Sequence, residues 1–372
     1  MRQLESLRHQ MMALNQKPKT GNLILIMPVT TALPAQARQI FVWHQGALGD
    51  ILVAGPALQA LANHYPEARF TLVGGEAQLS LLSPTLPVAA VWSSQRAVWL
   101  ELFHRADPIS PALGELLQPF DLAVIFSPTP SPGFLARFVQ TGLPAVVWLP
   151  SFPPPGLRQS SRALQAAHLQ ALGLPKPPPS WQLIIPEAEV AAARRDLAAQ
   201  SAGAGPWLAV APGSGHPKKN WPLEYYIALT ALLEERWQAD IWWLLGPAEA
   251  ALTEQLAPSI AANRRQHIVT GLPLPQVAAW LANCHLYIGN DSGLTHLAAA
   301  VSGPRVLAIF GPSDPLVWAP PEATVVASPL PCAPCSHGRT ISCPAPRCLA
   351  DLPLDTVLAA VEPLLRVSPF GR

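Results

Sequence analysis

The sequence predicts an α/β protein with two Rossmann-like domains, whose parallel sheets face a central cleft. Strand-length apolar segments alternate with helix-length segments along most of the chain, which is typical of βαβ units. This alternation restarts after a proline-rich stretch near residues 174–179, which indicates a domain boundary. At 372 residues, half of them hydrophobic, the chain has enough apolar material for two cores of ordinary size.

Residues 39–180 are predicted to form the amino-terminal domain. Its first strand, 40–43, is followed by a glycine turn and by a helix over 50–64 whose apolar residues lie roughly along one face. The other strands expected in this domain are 70–73, 121–126 and 145–149.

Residues 181–352 are predicted to form the carboxyl-terminal domain. The expected helices are 187–202, 223–236, 249–257, 277–282 and 295–301. The expected strands are 207–210, 241–245, 268–269, 286–288 and 306–310. The segment 353–372 contains a last helix, 354–365, for which a return onto the first domain is one expectation.

Charge and hydropathy exclude several classes of function. The formal net charge is +1, and no basic stripe follows any segment, so a nucleic-acid partner is not expected. No apolar run approaches the roughly 20 residues that a membrane-spanning helix needs. We therefore expect a cytoplasmic protein.

The first residues, 1–38, read as a poorly ordered extension. The alternative is a signal peptide, with two lysines before the apolar segment 23–27 and small residues at 35–37. Pro28 interrupts that apolar segment, which disfavours secretion, and Met27 is a candidate start. Amino-terminal sequencing of the native protein tests this point, since an intact Met1 would exclude Met27 as the start.

The first candidate site is the loop 44–50, between the first strand and its helix. Glycines let the backbone approach a ligand, and a carboxylate at Asp50 could take a proton from a sugar hydroxyl. The alternative, favoured on the residues alone, is that Asp50 caps the helix. The dinucleotide-binding glycine fingerprint is absent, which disfavours a nicotinamide dehydrogenase.

Two further loops follow strands of the second domain. In the loop 212–222, small residues and a lysine could hold a diphosphate, and the alternative is a solvated turn with two surface lysines. In the loop 289–296, a helix start offers unpaired N–H groups to an anion, and His296 lies within its first turn or so. The alternative there is capping by Asp291 or Ser292, with His296 merely packed.

The motifs in these loops, taken together, resemble those of glycosyltransferase family 9, the heptosyltransferase group. The likeness extends from about Ile40 to Leu365, in the family's order and spacing, and it implies the GT-B fold. The matching segments are 46–50 with 56–58, 219–222, 291–300 and 310–315.

The resemblance implies roles for individual residues. Asp50 would be the catalytic base and Lys219 would stabilise the leaving diphosphate. Gly49 and His44 would lie on the acceptor side, although many family members carry arginine at the position of His44. The residues implied to bind the donor are Ser214, Gly215, Glu249, Leu272, Asp291, Ser292, Gly293 and His296.

The implied reaction is an inverting, metal-independent transfer of a heptose-like sugar from a nucleotide-diphosphate donor, expected to be ADP-heptose. The acceptor would be a lipopolysaccharide core or another cell-surface glycan, which implies a transient contact with the inner membrane face. A monomer is expected. The rivals are a sugar-nucleotide epimerase of the same architecture and a non-catalytic nucleotide-sugar-binding protein.

Four of the five cysteines, Cys332, Cys335, Cys343 and Cys348, lie within a short segment. Four thiolates could bind a structural zinc ion or an iron–sulfur cluster, and reduced thiols are an equal alternative. Disulfides are less expected in a cytosolic enzyme. Metal analysis of the purified protein tests the zinc hypothesis, which fails if no stoichiometric metal is found.

Overall fold

The computed structural model describes residues 33–104, 108–129, 131–178, 181–261, 263–335, 341, 343 and 347–366. The chain forms two compact units. Of the described residues, unit 1 comprises those up to Gly46, those in Ala57–Phe152 and those in Leu164–Pro177, and unit 2 comprises Ala47–Pro56, Pro153–Ala163 and those from Pro178 onwards. The predicted domain limits stay a prediction, and most of the predicted extension lies outside the described residues.

Unit 1 is built on a five-stranded parallel sheet with the order β3-β2-β1-β4-β5. Its strands are β1 Gln39–His44, β2 Arg69–Gly74, β3 Val88–Ser93, β4 Leu122–Ser127 and β5 Val146–Pro150. The described helices with most or all of their residues in this unit are α2 Gly55–His64, α3 Glu76–Leu79, α4 Pro111–Leu117, α5 Pro132–Gln140 and α6 Ser161–Ala171. Short 3₁₀ turns cover Ser80–Leu82 and Ala97–Leu102.

The sheet of unit 1 packs against a core rich in aromatic side chains. Phe41, at the centre of β1, contacts Phe120 edge-on and also packs against Phe138 and Trp99. Such tilted and edge-on arrangements match the charge distribution of aromatic rings. The start of β1 is fixed by Asp121, whose carboxylate accepts hydrogen bonds from the backbone N–H groups of residues 38 and 39.

Unit 2 contains a six-stranded parallel sheet with the order β11-β10-β9-β6-β7-β8. Its strands are β6 Trp207–Ala211, β7 Asp240–Leu245, β8 Gln266–Thr270, β9 Leu286–Asn290, β10 Arg305–Phe310 and β11 Thr324–Ala327. Its described helices are α1 Leu48–Val53, α7 Glu187–Gln200, α8 Leu223–Trp237, α9 Ala250–Ile260, α10 Leu274–Leu281, α11 Gly293–Ala300, α12 Pro315–Trp318, α13 Arg347–Ala350 and α14 Leu354–Arg366.

The central strands of unit 2 are continuous apolar runs because both faces of the sheet are covered. Every residue of β7 is buried, including Trp242 and Trp243. Since all six strands are parallel, the loops that follow β6, β7, β8 and β9 leave from the same edge of the sheet. Ligands of open α/β sheets bind at this carboxyl edge.

The strands predicted in both halves are confirmed, with shifts of one or two residues at their ends. Two strands were not predicted, β3 and β11, although both segments are largely apolar; they form the edges of their sheets and are only partly buried. The helix predicted over 50–64 is two helices, α1 and α2, separated near Gly55. Pro56 removes a backbone donor there, and a Cβ at Gly55 would lie 2.4 Å from the Trp181 ring.

Candidate functional site

Helices α1 and α11 of unit 2 meet at their amino-terminal ends through two glycines. A Cβ on Gly49 would lie 3.0 Å from Cδ2 of His296, and a Cβ on Gly293 would lie 3.0 Å from Cβ of Leu48. Real Cβ contacts are rarely this close, so a larger residue at either position would force its neighbour on the other helix to shift. The contact brings Asp50, the residue after Gly49 in the first turn of α1, into the neighbourhood of the loop 289–296.

Asp50 is buried, with 8% of its surface exposed, and it is the third residue of α1. Its Oδ2 accepts a hydrogen bond of 3.0 Å from the N–H of Ala47, the residue that begins the helix. Asp50 therefore caps the helix from inside its first turn and is not itself the N-cap residue. An ionised carboxylate can accept about four hydrogen bonds, so this capping bond leaves it able to accept a proton.

The start of α11 is capped by Ser292, whose Oγ accepts a hydrogen bond of 3.4 Å from the N–H of Thr295. The capping alternative for this loop is thus confirmed for Ser292. Asp291 has another partner, because its Oδ2 lies 2.6 Å from the ammonium nitrogen of Lys219. This ion pair joins the loop after β6 to the loop after β9.

Asn290, which the sequence prediction did not include among the site residues, holds these two loops together. Its Nδ2 donates to the carbonyl of Pro212 at 2.7 Å, and its Oδ1 accepts from the N–H of Trp221 at 2.9 Å. The side chain is fully buried. The sequence did contain a signal for this residue, an amide at the end of an otherwise apolar strand. Buried polar groups are almost always hydrogen-bonded, so a polar residue at such a position is expected to bind a neighbouring segment.

The loop 212–222 is not a solvated turn with free lysines. The ammonium of Lys218 donates to the carbonyl of Cys343 at 2.6 Å, and that of Lys219 pairs with Asp291. Oγ of Ser214 lies 2.6 Å from Oδ1 of Asn220, which closes the loop on itself. Gly215 is exposed, and a Cβ added there would meet nothing within 4 Å.

Glu249 and Leu272 follow β7 and β8 at the same sheet edge. Oε2 of Glu249 accepts a hydrogen bond of 2.8 Å from the N–H of Gly246. A Cβ on Gly213 would lie 2.4 Å from Cγ of Glu249, so this side chain packs directly on the loop 212–222. Leu272 is partly buried and directly follows Gly271, whose φ of 73° is left-handed. Their roles in donor binding stay predictions.

His296 is the residue of this site with the most strongly perturbed titration. It is 5% exposed, and burial lowers its pKa to about 4, although the nearby carboxylates of Asp291 and Asp50 act in the opposite direction. The cations Arg162 and Lys219 lower the pKa further. The ring is therefore neutral at pH 7, and among the described residues its Nδ1 has no hydrogen-bond partner. A neutral imidazole can donate or accept one hydrogen bond at that atom.

We expect this buried neutral His296 to make the protein less stable in mild acid. The unfolded chain binds the proton with a pKa near 6.5, whereas the folded chain binds it only near 4. Stability from this residue is therefore full above pH 6.5 and is lost as the pH falls towards 4. Between pH 7 and 4.5, the free energy of unfolding should fall by about 2 kcal/mol more in wild type than in His296→Gln. Urea unfolding at both pH values measures the difference, and parallel changes in the two proteins would contradict it.

Two arginines from the segment 153–163 complete the charged surroundings of the site. Nη1 of Arg162 lies 3.3 Å from Oε1 of Glu322, and its charge is one of those that lower the His296 pKa. Arg158 binds both carboxylate oxygens of the buried Asp314, at 2.6 and 3.2 Å. The sequence analysis missed both arginines. In the sequence they are simply two arginines, four residues apart, that follow a proline-rich stretch. Nothing local indicates that their partners lie about 160 residues further along the chain.

Residues 152–345, about half of the chain, match the model of glycosyltransferase family 9 (heptosyltransferase). The chain belongs to glycosyltransferase family 9. This membership confirms the resemblance carried by the loop motifs.

Relatives of this family 9 chain cover most of its length. Lipopolysaccharide heptosyltransferase 1 of Pseudomonas aeruginosa is 27% identical over 312 residues, which are 78% of this chain and 83% of the relative. A family 9 glycosyl transferase structure from Veillonella parvula has a TM-score of 0.70 and 18% identity, and covers 91% of this chain and 99% of its own. E. coli ADP-heptose lps heptosyltransferase II has a TM-score of 0.67 and 20% identity, with 88% and 98% covered. The two structures establish the GT-B type of fold.

His44, predicted on the acceptor side of this family 9 chain, lies at the end of β1 in unit 1. It is buried, its Nδ1 accepts a hydrogen bond of 3.1 Å from the N–H of Gly46, and its ring packs against Phe126. Its role towards an acceptor stays a prediction, as does that of Gly49.

None of the helices in the described ranges is long and apolar enough to cross a membrane.

The four clustered cysteines carry free thiols, and Cys332 and Cys335 are exposed. Burial raises the pKa of the Cys348 thiol, and the other three cysteines add to that rise, so each of them lies in electrostatic range of Cys348. Within the part of the chain that the structure describes, no three His, Cys, Asp or Glu side chains are grouped to hold a metal ion. The zinc ion therefore stays a prediction.

Proposed function

We propose that this family 9 member transfers a heptose from ADP-heptose to the core of lipopolysaccharide. The observation that carries the proposal is the gathering of Asp50, Lys219, Asp291 and His296 at the amino-terminal end of α11. ADP-heptose is the donor named for the E. coli structural relative, and lipopolysaccharide is named for both that protein and the Pseudomonas aeruginosa relative.

In this proposal Asp50 is the general base. An acceptor hydroxyl attacks the anomeric carbon of the donor sugar while Asp50 takes the hydroxyl proton. A new carbon–oxygen bond forms as the bond from the anomeric carbon to the β-phosphate oxygen breaks, and ADP leaves with that electron pair. Attack from the side opposite the leaving group inverts the anomeric configuration. Gly49 and His44 would face the acceptor.

The leaving diphosphate needs positive charge as its own negative charge grows. Lys219 can supply an ammonium, and the start of α11 at Ser292 and Gly293 supplies backbone N–H groups and the positive end of the helix dipole. With these groups the transfer would not require a metal ion. A zinc ion at the four cysteines would be structural and would take no part in this step.

The remaining residues proposed to contact the donor lie in the loops that follow β6, β7 and β8. Ser214 and Gly215 would approach the diphosphate, because the exposed backbone at Gly215 leaves room for a ligand. Glu249 would accept hydrogen bonds from the ribose, and Leu272 would contact the base. The proposed acceptor is a glycan attached to a lipid. We therefore propose that the enzyme contacts the inner membrane surface during turnover. It is expected to be a cytoplasmic monomer.

A panel of nucleotide sugars, assayed by thermal stabilisation and then by product analysis, tests this function. ADP-heptose should raise the unfolding temperature more than UDP- or GDP-sugars, and ADP release should depend on the added acceptor. Conversion of the donor sugar without an acceptor would favour an epimerase and contradict the proposal. Donor binding with no turnover on any core glycan would favour a non-catalytic binding protein.

A further inference from the structure

Two buried hydroxyls lie beneath the loop 289–296 of unit 2. The phenol oxygen of Tyr287, on β9, lies 3.2 Å from Oγ1 of Thr295, in the first turn of α11. Tyr287 is 0% exposed and Thr295 is 1% exposed. We call these two residues the hydroxyl pair. A buried hydroxyl costs free energy unless it is hydrogen-bonded, so the bonds that the pair makes decide what it does.

The single hydroxyl proton of Thr295 sets the direction of these bonds. That hydroxyl donates to the backbone carbonyl of Asn290. Its oxygen can therefore only accept in the contact with Tyr287, and the phenol must be the donor. Burial raises the pKa of Tyr287 to about 12, so the phenol keeps the proton that it donates. The hydroxyl pair thus forms a directed chain of hydrogen bonds from β9 to the carbonyl of Asn290.

This chain of hydrogen bonds fixes the peptide group between Asn290 and Asp291. The carbonyl of that group accepts from Thr295, and its N–H donates to the carbonyl of Ile309 on β10 at 3.1 Å. Both polar atoms of the group are therefore held. The carboxylate of Asp291, the next side chain, lies 2.6 Å from the ammonium of Lys219. The direction of this ion pair depends on the peptide group that the hydroxyl pair holds.

Gly289 leaves the room that the phenol needs. A Cβ at Gly289 would lie 2.4 Å from the hydroxyl oxygen of Tyr287. Backbone and phenol therefore approach more closely here than any residue with a side chain would allow. The hydroxyl of Tyr287 is confined to its place beside the start of the loop.

We propose that Tyr287 and Thr295 are positioning residues, which hold the loop 289–296 in the conformation that binds the diphosphate of the donor. A neighbouring atom points to a ligand here, since Nδ1 of the buried His296 has no hydrogen-bond partner among the described residues. The pair would act through Asp291 and the backbone N–H groups at the start of α11, without touching the ligand. The proposal rests on the proposed function, in which this loop holds the leaving diphosphate. The alternative is that the pair only stabilises the fold.

Isothermal titration calorimetry with ADP tests the hydroxyl pair. Tyr287→Phe keeps the ring and removes only the hydroxyl, and Thr295→Val keeps the shape and removes the hydroxyl. Each variant should bind ADP about five- to tenfold more weakly than wild type, because the loop loses a bond that orients it. Thr295→Ser returns the hydroxyl and should restore most of the affinity. In transfer assays the KM for the donor should rise in the two weakened variants, whereas the KM for the acceptor should not change.

Tyr226→Phe is the matched control. Tyr226 is also fully buried in unit 2, and its hydroxyl has no hydrogen-bond partner among the described residues. This variant removes the same atom from the same kind of surroundings without breaking the chain of hydrogen bonds. It should bind ADP like wild type.

Hydrogen exchange without any ligand shows whether the loop conformation depends on the hydroxyl pair. Peptides that cover the loop 289–296 should exchange faster in Tyr287→Phe and Thr295→Val than in wild type. The same peptides should exchange at the wild-type rate in Tyr226→Phe. Equal exchange in all four proteins would contradict the proposed effect on the loop.

Unchanged ADP affinity in both Tyr287→Phe and Thr295→Val would overturn the proposal. A pair that only stabilises the fold would lower the unfolding temperature and leave the affinity of the folded protein as it was. The wild type separates this failure from that of the proposed function. If wild type transfers the sugar and the variants bind ADP equally well, the positioning role alone is wrong. If wild type binds inorganic pyrophosphate but not ADP, the proposed donor is wrong, and the variants should then lose pyrophosphate affinity by the same factor.

Discussion

Replacing Asp50 with Asn should lower the rate of sugar transfer by about 10³-fold, within the range typical for loss of a general base. The amide has the same shape and cannot take the acceptor proton. Its oxygen can still accept the hydrogen bond from Ala47 N–H that caps α1, so the fold should persist. Steady-state rates with saturating donor and acceptor measure the loss, and circular dichroism checks the fold.

The matched control for Asp50→Asn is Asp121→Asn in unit 1. Asp121 also caps backbone N–H groups through its carboxylate, at residues 38 and 39. If Asp50 acted only as a helix cap, both variants would lose stability and keep their turnover rates once folded. Unchanged turnover in Asp50→Asn, with ADP binding intact, would remove Asp50 from the proposed chemistry.

Local sequence signals were sufficient for most of the fold. Strands of four to six apolar residues ended by glycine, such as β2 and β7, are recognisable because both faces of a parallel sheet are buried. The loops after β6 and β9 were also recognisable, since their glycines, hydroxyls and charges interrupt otherwise apolar segments. Edge strands β3 and β11 are short apolar segments that the prediction missed, and in the structure solvent reaches part of each.

Long-range contacts could not be predicted in this way. Asn290 reads as one polar residue after a strand, yet it joins both ends of a loop about 70 residues away. Arg162 contacts Glu322 across 160 residues of sequence, and no local pattern specifies that pair. The close approach of Gly49 to His296 likewise depends on how α1 packs on α11. The motifs therefore marked loops that the structure brings together, and tertiary packing determined the partners of their side chains.

Replacing Lys219 with Ala should lower the transfer rate by about 10²- to 10³-fold, the usual cost of one lost electrostatic contact to a leaving group. The loss has two parts. The growing charge on the diphosphate loses its ammonium, and Asp291, 2.6 Å from that ammonium in the structure, is left uncompensated beside an anionic ligand. Lys218→Ala is the matched control, because the Lys218 ammonium is bound by the Cys343 carbonyl. It should stay within about twofold of wild type if a surface contact is all that is lost.

Adding Asp291→Asn to Lys219→Ala separates these two parts. If Lys219 mainly neutralises Asp291, removing both charges should restore ADP affinity towards the wild-type value, because the repulsion disappears with the carboxylate. If the ammonium instead moves from Asp291 to the diphosphate when the donor binds, the double variant should bind ADP about as weakly as Lys219→Ala. We expect the double variant to transfer sugar about as slowly as Lys219→Ala. Negative charge develops on the leaving group in the transition state, and a neutral Asn at position 291 cannot offset it. A double variant that recovers full turnover would show that Lys219 acts only through Asp291.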